Sequence, residues 1–324
     1  MMRSPKSFAV VCRRPSGEIV IKEAAWQPLW GALRFLRWPV LRGGVVLFES
    51  MMNGFSALSF AARQQTVGLS DAPRPQSLGA MAAKPSPEDE AEMSKAATFG
   101  MLAISIAFGL ALFVGVPHLL AWLLGFDPRS FAFHLVDGVI KVAMLIGYLA
   151  AISRIPEIRR VFQYHGAEHK SIATYEAGLP LTVENARAQS RFHPRCGTSF
   201  LLIVVGVSIV LFAITLRGEL SSVPVVDHLI KILLKIPLML PVAGLAYELL
   251  KVSGKRYETS QLARALAAPG LWLQKITTRE PDDAQLEIAL LSIRKALWRE
   301  AQGTAVAAAS VEVYPSAAEV PLPA

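Results

Sequence analysis

The sequence predicts an all-α polytopic membrane protein with four transmembrane helices, a small N-terminal hairpin and cytoplasmic helices. Three observations predict it. Of the 324 residues 53% are hydrophobic and only 18% charged, against about 25% charged in an ordinary soluble protein. The apolar excess is gathered into blocks: 97–125 and 199–216 contain no Asp, Glu, Lys or Arg and match or exceed the roughly 20 residues that cross a hydrocarbon core. Basic residues then fall unequally between the connections.

From the N-terminus, residues 7–14 and 18–23 flank Pro15-Ser16-Gly17 and read as a hairpin. Residues 26–62 are apolar but interrupted by Arg34, Arg37, Arg42 and Glu49, with Trp26, Trp30 and Trp38. That mixture suits helices lying in the membrane interface. A fifth span at 43–62 would have to bury Glu49 and Asn53, which is costly in lipid. Residues 1–62 therefore form an N-terminal hairpin plus interfacial helices, and the Pro-, Ser-, Gln- and acid-rich stretch 63–95 a flexible linker.

The membrane domain, 96–260, holds the four spans: 97–125, 131–152, 199–216 and 229–250. The second carries His134, Asp137 and Lys141, and the fourth Lys231, Lys235 and Glu248. Asp137 and Lys141 stand at i,i+4 and neutralise each other, while His134 reads as an interfacial residue near a span end. Segment 153–198 carries seven Lys or Arg, whereas 126–130 and 217–228 hold one arginine each. By the positive-inside rule both termini and the central segment are cytoplasmic. The net charge of +8 follows from that asymmetry, and the interleaving of basic and aromatic residues expected of a nucleic-acid surface is absent. Cys12 and Cys196 both fall on the reducing side, so no disulfide is expected.

Within the central segment, Pro156 opens a helix that Gly178 and Pro180 close, Thr182 caps a short helix, and His193-Pro194-Arg195-Cys196-Gly197 turns into the third span. Beyond the fourth span, 261–302 forms amphipathic helices, with Leu286, Ala289, Leu290, Ile293 and Leu297 at helical spacing. The Ala/Val/Pro-rich stretch 303–324 is expected to be a disordered tail.

The chemistry concentrates in 157–198. His165-Gly166-Ala167-Glu168-His169 places two imidazoles four residues apart on one helix face, with a carboxylate beside them. The H-x-x-E-H spacing matches the inverted zinc-peptidase pattern, in which histidines bind zinc and the glutamate activates water. His193 and Cys196 add a second pair of ligand types from a turn. If all four bind, the site is closed and structural; if three bind, water takes the fourth position and Glu168 becomes a general base. A salt bridge from Glu168 to a nearby cation, and a merely packed Cys196, are the plainer alternatives. Glu248, at the cytoplasmic end of the fourth span, is a further candidate ligand or proton acceptor, unless it pairs with Lys251 or Lys255.

The runs 162–170, 181–186 and 191–200, with Tyr247-Glu248, 268–274 and 277–283, closely resemble the YqhQ-like family. These are bacterial multipass membrane proteins of unknown function, described as predicted metal-dependent enzymes. Family members open with a Gly-Gly-Gln-Ala-Val-Met-Glu-Gly-Val segment ahead of a Met-Met-Arg, whereas here Met1-Met2-Arg3 stands first. The resemblance implies a bacterial inner-membrane location and a metal site, and it supplies no substrate. Two readings follow. One is a zinc-dependent hydrolase-like enzyme, with His165, His169, His193 and Cys196 as ligand candidates and Glu168 as base. The other is a non-catalytic scaffold or transporter component whose metal is structural. The lipid bilayer is the expected partner in both, and a homo-oligomer would supply further spans for transport.

Overall fold

The computed structural model describes residues 1–4, 7–25, 38–67, 95–302 and 310–321. The interfacial-helix reading of 26–37 and most of the linker lie outside them. Among the described residues, five helices are long and apolar enough to cross a membrane: Arg42–Gln65, Ala103–Leu123, Phe131–Ile152, Gly197–Thr215 and Pro224–Lys255. The last four correspond to the four expected spans.

The chain divides into two compact units. The first comprises Met1–Ser70, Leu145–Val207 and Met239–Ala324; the second comprises Asp71–Met144 and Ser208–Leu238.

In the first unit, β1 (Met2–Arg3), β2 (Ser7–Arg13) and β3 (Ile19–Ala25) form the expected hairpin with an added edge strand, and β4 (Ser310–Tyr314) closes an antiparallel sheet of order β1-β2-β3-β4. For 310–321 this replaces the tail reading of 303–324, and the rest of that stretch lies outside the described residues. Val311 pairs with Lys22 and Val313 with Val20, so the alternation Ser-Val-Glu-Val-Tyr is a strand pattern within an otherwise featureless composition. Both faces of the sheet are covered. Val11, Ile19 and Ile21 pack on Ile288 and Leu291 of α10 (Asp283–Gln302), while Phe8, Val10 and Cys12 pack on Ala57 of α1 (Pro39–Thr66).

That second contact is one of several along α1. Its length is tied to the sheet, with Arg3 to Glu49, Ala57 over β2, and Arg14 to Gln64. Its opposite face exposes Phe48, Met51, Met52, Phe55 and Leu58, an apolar stripe at helical spacing. By length and composition α1 is able to cross a membrane; packed along the sheet with such a stripe outward, it also has the construction of an interfacial helix. At its start Gly43 touches α8 (Pro224–Lys255), where a Cβ would lie 2.7 Å from Gly244 Cα. Small residues on both helices permit this crossing. Beside it Arg42 grips Glu248 at 2.6 and 2.7 Å. Glu248 is thus held by Arg42, not by Lys251 or Lys255.

The segment carrying the histidines is α5 (Pro156–Glu176), followed by α6 (Val183–Ala188) with Thr182 as its cap at 3.3 Å. α10 packs against α5 and α6 through Leu286, Ala289 and Leu290, which meet Ala167 and Ala186. α9 (Gln261–Thr277) lies across the turn that leads into α7 (Gly197–Thr215). Gly270 is required there, because a Cβ would stand 2.1 Å from Ser199 Oγ.

In the second unit a helix of two stretches, α2 (Lys95–Leu110) and α3 (Val116–Leu123), is joined by a π-helical turn at Ala111–Gly115. It accompanies the first part of α4 (Phe131–Ile152), the end of α7 and the beginning of α8. His134 is not interfacial. It is 1% exposed, buried with the charged residues described below.

Candidate metal centre

The i,i+4 spacing on α5 brings the rings of His165 and His169 to 4.4 Å between centroids. The turn before α7 delivers Cys196 to the same place, with Sγ 3.2 Å from His165 Nε2. Ligand atoms of His165, His169 and Cys196 lie within 4.8 Å of one another, and His169 and Cys196 are buried. Tetrahedral zinc with N and S ligands separates them by roughly 3.3–3.8 Å, so small side-chain movements would suffice.

Both rings are oriented by the backbone. His165 Nδ1 lies 2.8 Å from the Thr277 carbonyl, and His169 Nδ1 2.6 Å from that of Arg191. A carbonyl can only accept, so both Nδ1 atoms carry the proton. With the proton on sulfur the His165 Nε2 lone pair faces Cys196; with that proton transferred Nε2 donates to the thiolate, and the Nε2 of His169 is turned to the same sulfur. This outer bond is characteristic of metal-ligating histidines. The donor set and its support therefore fit a metal ion.

Gly166 explains how α5 reaches these carbonyls. A Cβ there would sit 2.1 Å from the Arg279 carbonyl oxygen. Without a side chain, the 277–279 segment closes on the helix, and Arg279 N donates to Phe162 O at 2.9 Å. Gln274 of α9 fixes the cysteine turn. Its Oε1 accepts from His193 N and its Nε2 donates to His193 O, both at 2.8 Å. Lys170 ties the α6 end by donating to the carbonyls of Arg187 and Gln189.

Electrostatics follow from this packing. Burial pushes the Cys196 thiol up, but hydrogen bonding to His165 and His169, and their charge, outweigh it and bring it down to about 5. Burial lowers His165; the bond and charge of Cys196, the Thr277 carbonyl and the charge of Glu168 overcome this and raise it. Cys196 also precedes the first turn of α7, with Thr198 N 3.5 Å and Thr198 Oγ1 3.2 Å from Sγ, an environment suited to a thiolate.

The sequence candidates thus separate. His165, His169 and Cys196 converge. The His193 ring lies 5.8 Å from that of His169, but its Nε2 pairs with Glu176 at 3.1 Å and its Nδ1 accepts from Arg195 N at 3.3 Å. Glu168 is half-buried on α5, near enough for its charge to act on His165. Glu248 is occupied by Arg42. Sequence reasoning missed Gln274, Glu176 and the two carbonyls. Gln274 could have been noticed as an amide on an otherwise apolar helix face; carbonyl positions have no sequence signal.

Beside the 277–279 segment is a cavity of about 550 Å³ lined by Ser153, Arg154, Arg159, Lys275 and Arg279, with no acidic residue. Arg279 Nε is buried there without a hydrogen-bond partner.

No solved structure matches the chain. The uncharacterized protein YqhQ of Bacillus subtilis (strain 168) is 34% identical over 271 residues, 81% of this chain and 78% of that protein. The model of a family described as a protein of unknown function, DUF1385, matches residues 38–299. The chain belongs to that family.

Proposed function

We propose that this protein is a zinc-dependent, hydrolase-like enzyme of the bacterial inner membrane, working at the cytoplasmic surface on an anionic, membrane-proximal substrate. The observation that carries the reading is the shared orientation of His165 and His169, whose Nδ1 atoms are tied to carbonyls so that Nε2 faces Cys196. Three protein ligands with a fourth position left over is the pattern of catalytic rather than structural zinc. When bound, the metal supplies Lewis acidity and acidifies water. Glu168, one turn from His165, is the base that accepts the proton of the attacking water. The basic cavity beside α9 holds the negative group of the substrate through Arg154, Arg159, Lys275 and Arg279. Cytoplasmic orientation is supported by the basic residues of 153–198. The pairing of β4 with β3, in the sheet that also holds β1, supports a reading in which both ends of the chain share one side of the membrane.

The rival is a structural site, in a scaffold or transporter component, closed when His193 swings toward its neighbour 5.8 Å away. Cobalt substitution of the detergent-purified protein separates the two. The open site gives a thiolate-to-cobalt charge-transfer band, lost in Cys196→Ala, and visible bands that shift when azide is added. Glu168→Gln keeps both features. A cobalt spectrum indifferent to azide favours the closed site, and absence of bound metal in the wild type removes both readings.

A further inference from the structure

The second unit buries an unusual set of ionisable groups. Lys235 is 0% exposed, Lys231, His118 and His134 1%, and Asp137 2%. They come from three helices: His118 from α3; His134, Asp137 and Lys141 from α4; Asp227, His228, Lys231 and Lys235 from α8. α7 adds the uncharged ring of Phe212, 5.4 Å from Lys235 Nζ. Asp227 and Lys231 pair at 2.8 Å, and the nearby connections hold Arg129 against Glu219 at the surface.

Lys141, Asp137, Lys235, His118 and His228 form an unbroken line. Lys141 and Lys235 both donate to Asp137 Oδ2, the second at 3.0 Å. Lys235 Nζ is 3.1 Å from His118 Nδ1, and His118 Nε2 is 3.1 Å from His228 Nδ1. An ammonium can only donate, so His118 accepts at Nδ1 and carries its proton on Nε2. It therefore donates to His228 Nδ1, and the proton of His228 is on Nε2. All the bonds along the line from Lys235 outward run in one direction. His228 is the fifth residue of α8 and only half-buried. Lys141 lies ten residues into α4, about 15 Å along a helix, or half the hydrocarbon thickness.

Charge counting gives the line a task. Asp137 is shared by two lysines, so with both protonated this group carries one excess positive charge inside the bilayer, a costly state. Among the described residues, Asp137 Oδ1 and both ring nitrogens of His134 are buried without hydrogen bonds.

We propose that Lys235, His118 and His228 form a proton relay joining the bilayer midplane to the membrane face at the N-terminal end of α8. Lys235 passes a proton to His118 Nδ1, the Nε2 proton of His118 moves to His228 Nδ1, and the Nε2 proton of His228 leaves to water. N–H bonds break and form along the line, and the released proton ends in an O–H bond of the accepting water. The group left behind, Asp137 carboxylate with Lys141 ammonium, is neutral, and uptake runs the same steps in reverse. The relay gives this membrane domain a means of coupling proton uptake to its own state, independent of the metal reading.

The test is nitrogen NMR of the full-length protein, lysine-labelled, in phosphatidylcholine nanodiscs. One lysine should convert from neutral amine to ammonium on acidification, and that signal should be missing in Lys235→Met. In His118→Phe the signal should persist while its proton exchange with water slows at least about tenfold. His228→Phe, at the half-buried end, should slow it similarly and guards against misfolding of the first variant. Lysines that all remain ammonium throughout, or exchange unaffected by both histidine substitutions, would overturn the relay.

Discussion

The metal cluster and the intramembrane line are both built from histidines and one acidic group, yet they are held in opposite ways. His165 and His169 each spend Nδ1 on a backbone carbonyl, and the cysteine turn is clamped by a side-chain amide. Their remaining donor atoms are thereby aimed at one point. In the second unit the groups spend their bonds on one another, Lys to Asp, Lys to His and His to His. Backbone support yields a convergent site suited to an ion, whereas side-chain-to-side-chain support yields a chain suited to moving a proton. The difference is one of what the fixed partner is, and it can be broken experimentally at each end.

The largest effect should come from removing the shared acid. Asp137→Leu leaves two lysines without their counter-charge, and losing one member of a buried ionic group costs about 3–5 kcal/mol. Lys235→Met, by contrast, leaves Asp137 with Lys141 and should cost much less, near the ordinary value of about 1 kcal/mol for a point substitution. Thermal unfolding in detergent measures both. Equal losses would mean that Lys235, not Asp137, is the keystone, and the charge count behind the relay would be wrong.

A middle effect is expected where the metal cluster leans on the amide of α9. Gln274→Leu keeps the volume but leaves His193 N and O unpaired in a buried place, at about 1–3 kcal/mol for such a group. The Cys196 turn loosens with them. Because Gln274 supports a ligand without being one, metal affinity should fall about 10–100-fold, read by competition with a chelating dye. Affinity unchanged despite lower stability would show that the turn keeps its shape without the clamp.

How much of this the chain announces in its sequence differs between the two regions in the same sense. The spans are legible because blocks such as 199–216 hold no charge at all. The His165–His169 pair is legible because i,i+4 geometry is local. Cys196 follows because its turn lies close in sequence. The relay is not legible: His118 and Lys235 are 117 residues apart, and His118 and His228 are 110 apart, so each reads alone as a stray polar residue in an apolar run. Asp137 and Lys141 can be paired from sequence, but Lys235, their third member, cannot. β4 escapes for a similar reason, since a five-residue alternation gains meaning only from β3, to which it pairs across the whole length of the chain.

The smallest effect is also the one that distinguishes the thiolate from its surroundings, and it concerns metal-stripped protein. Cys196, brought down from 9.0 to about 5, contributes stability that is fully present above pH 9 and is lost as pH falls toward 5. His165, raised above 6.5, has the opposite sign: its contribution is full below that value and disappears as pH rises through its folded-state pKa. The two slopes oppose each other, because thiolate and imidazolium stabilise one another only where both are charged. Stability of the stripped protein should therefore pass through a shallow maximum between the two limits. Cys196→Ala should flatten it, since the partner that holds His165 charged is gone. Zinc should flatten it from the alkaline side, because a metal on Nε2 replaces the proton that the imidazolium would carry. A maximum that survives in Cys196→Ala would assign the pH dependence to other groups, and the coupling between His165 and Cys196 would then be too weak to hold a thiolate in the absence of metal.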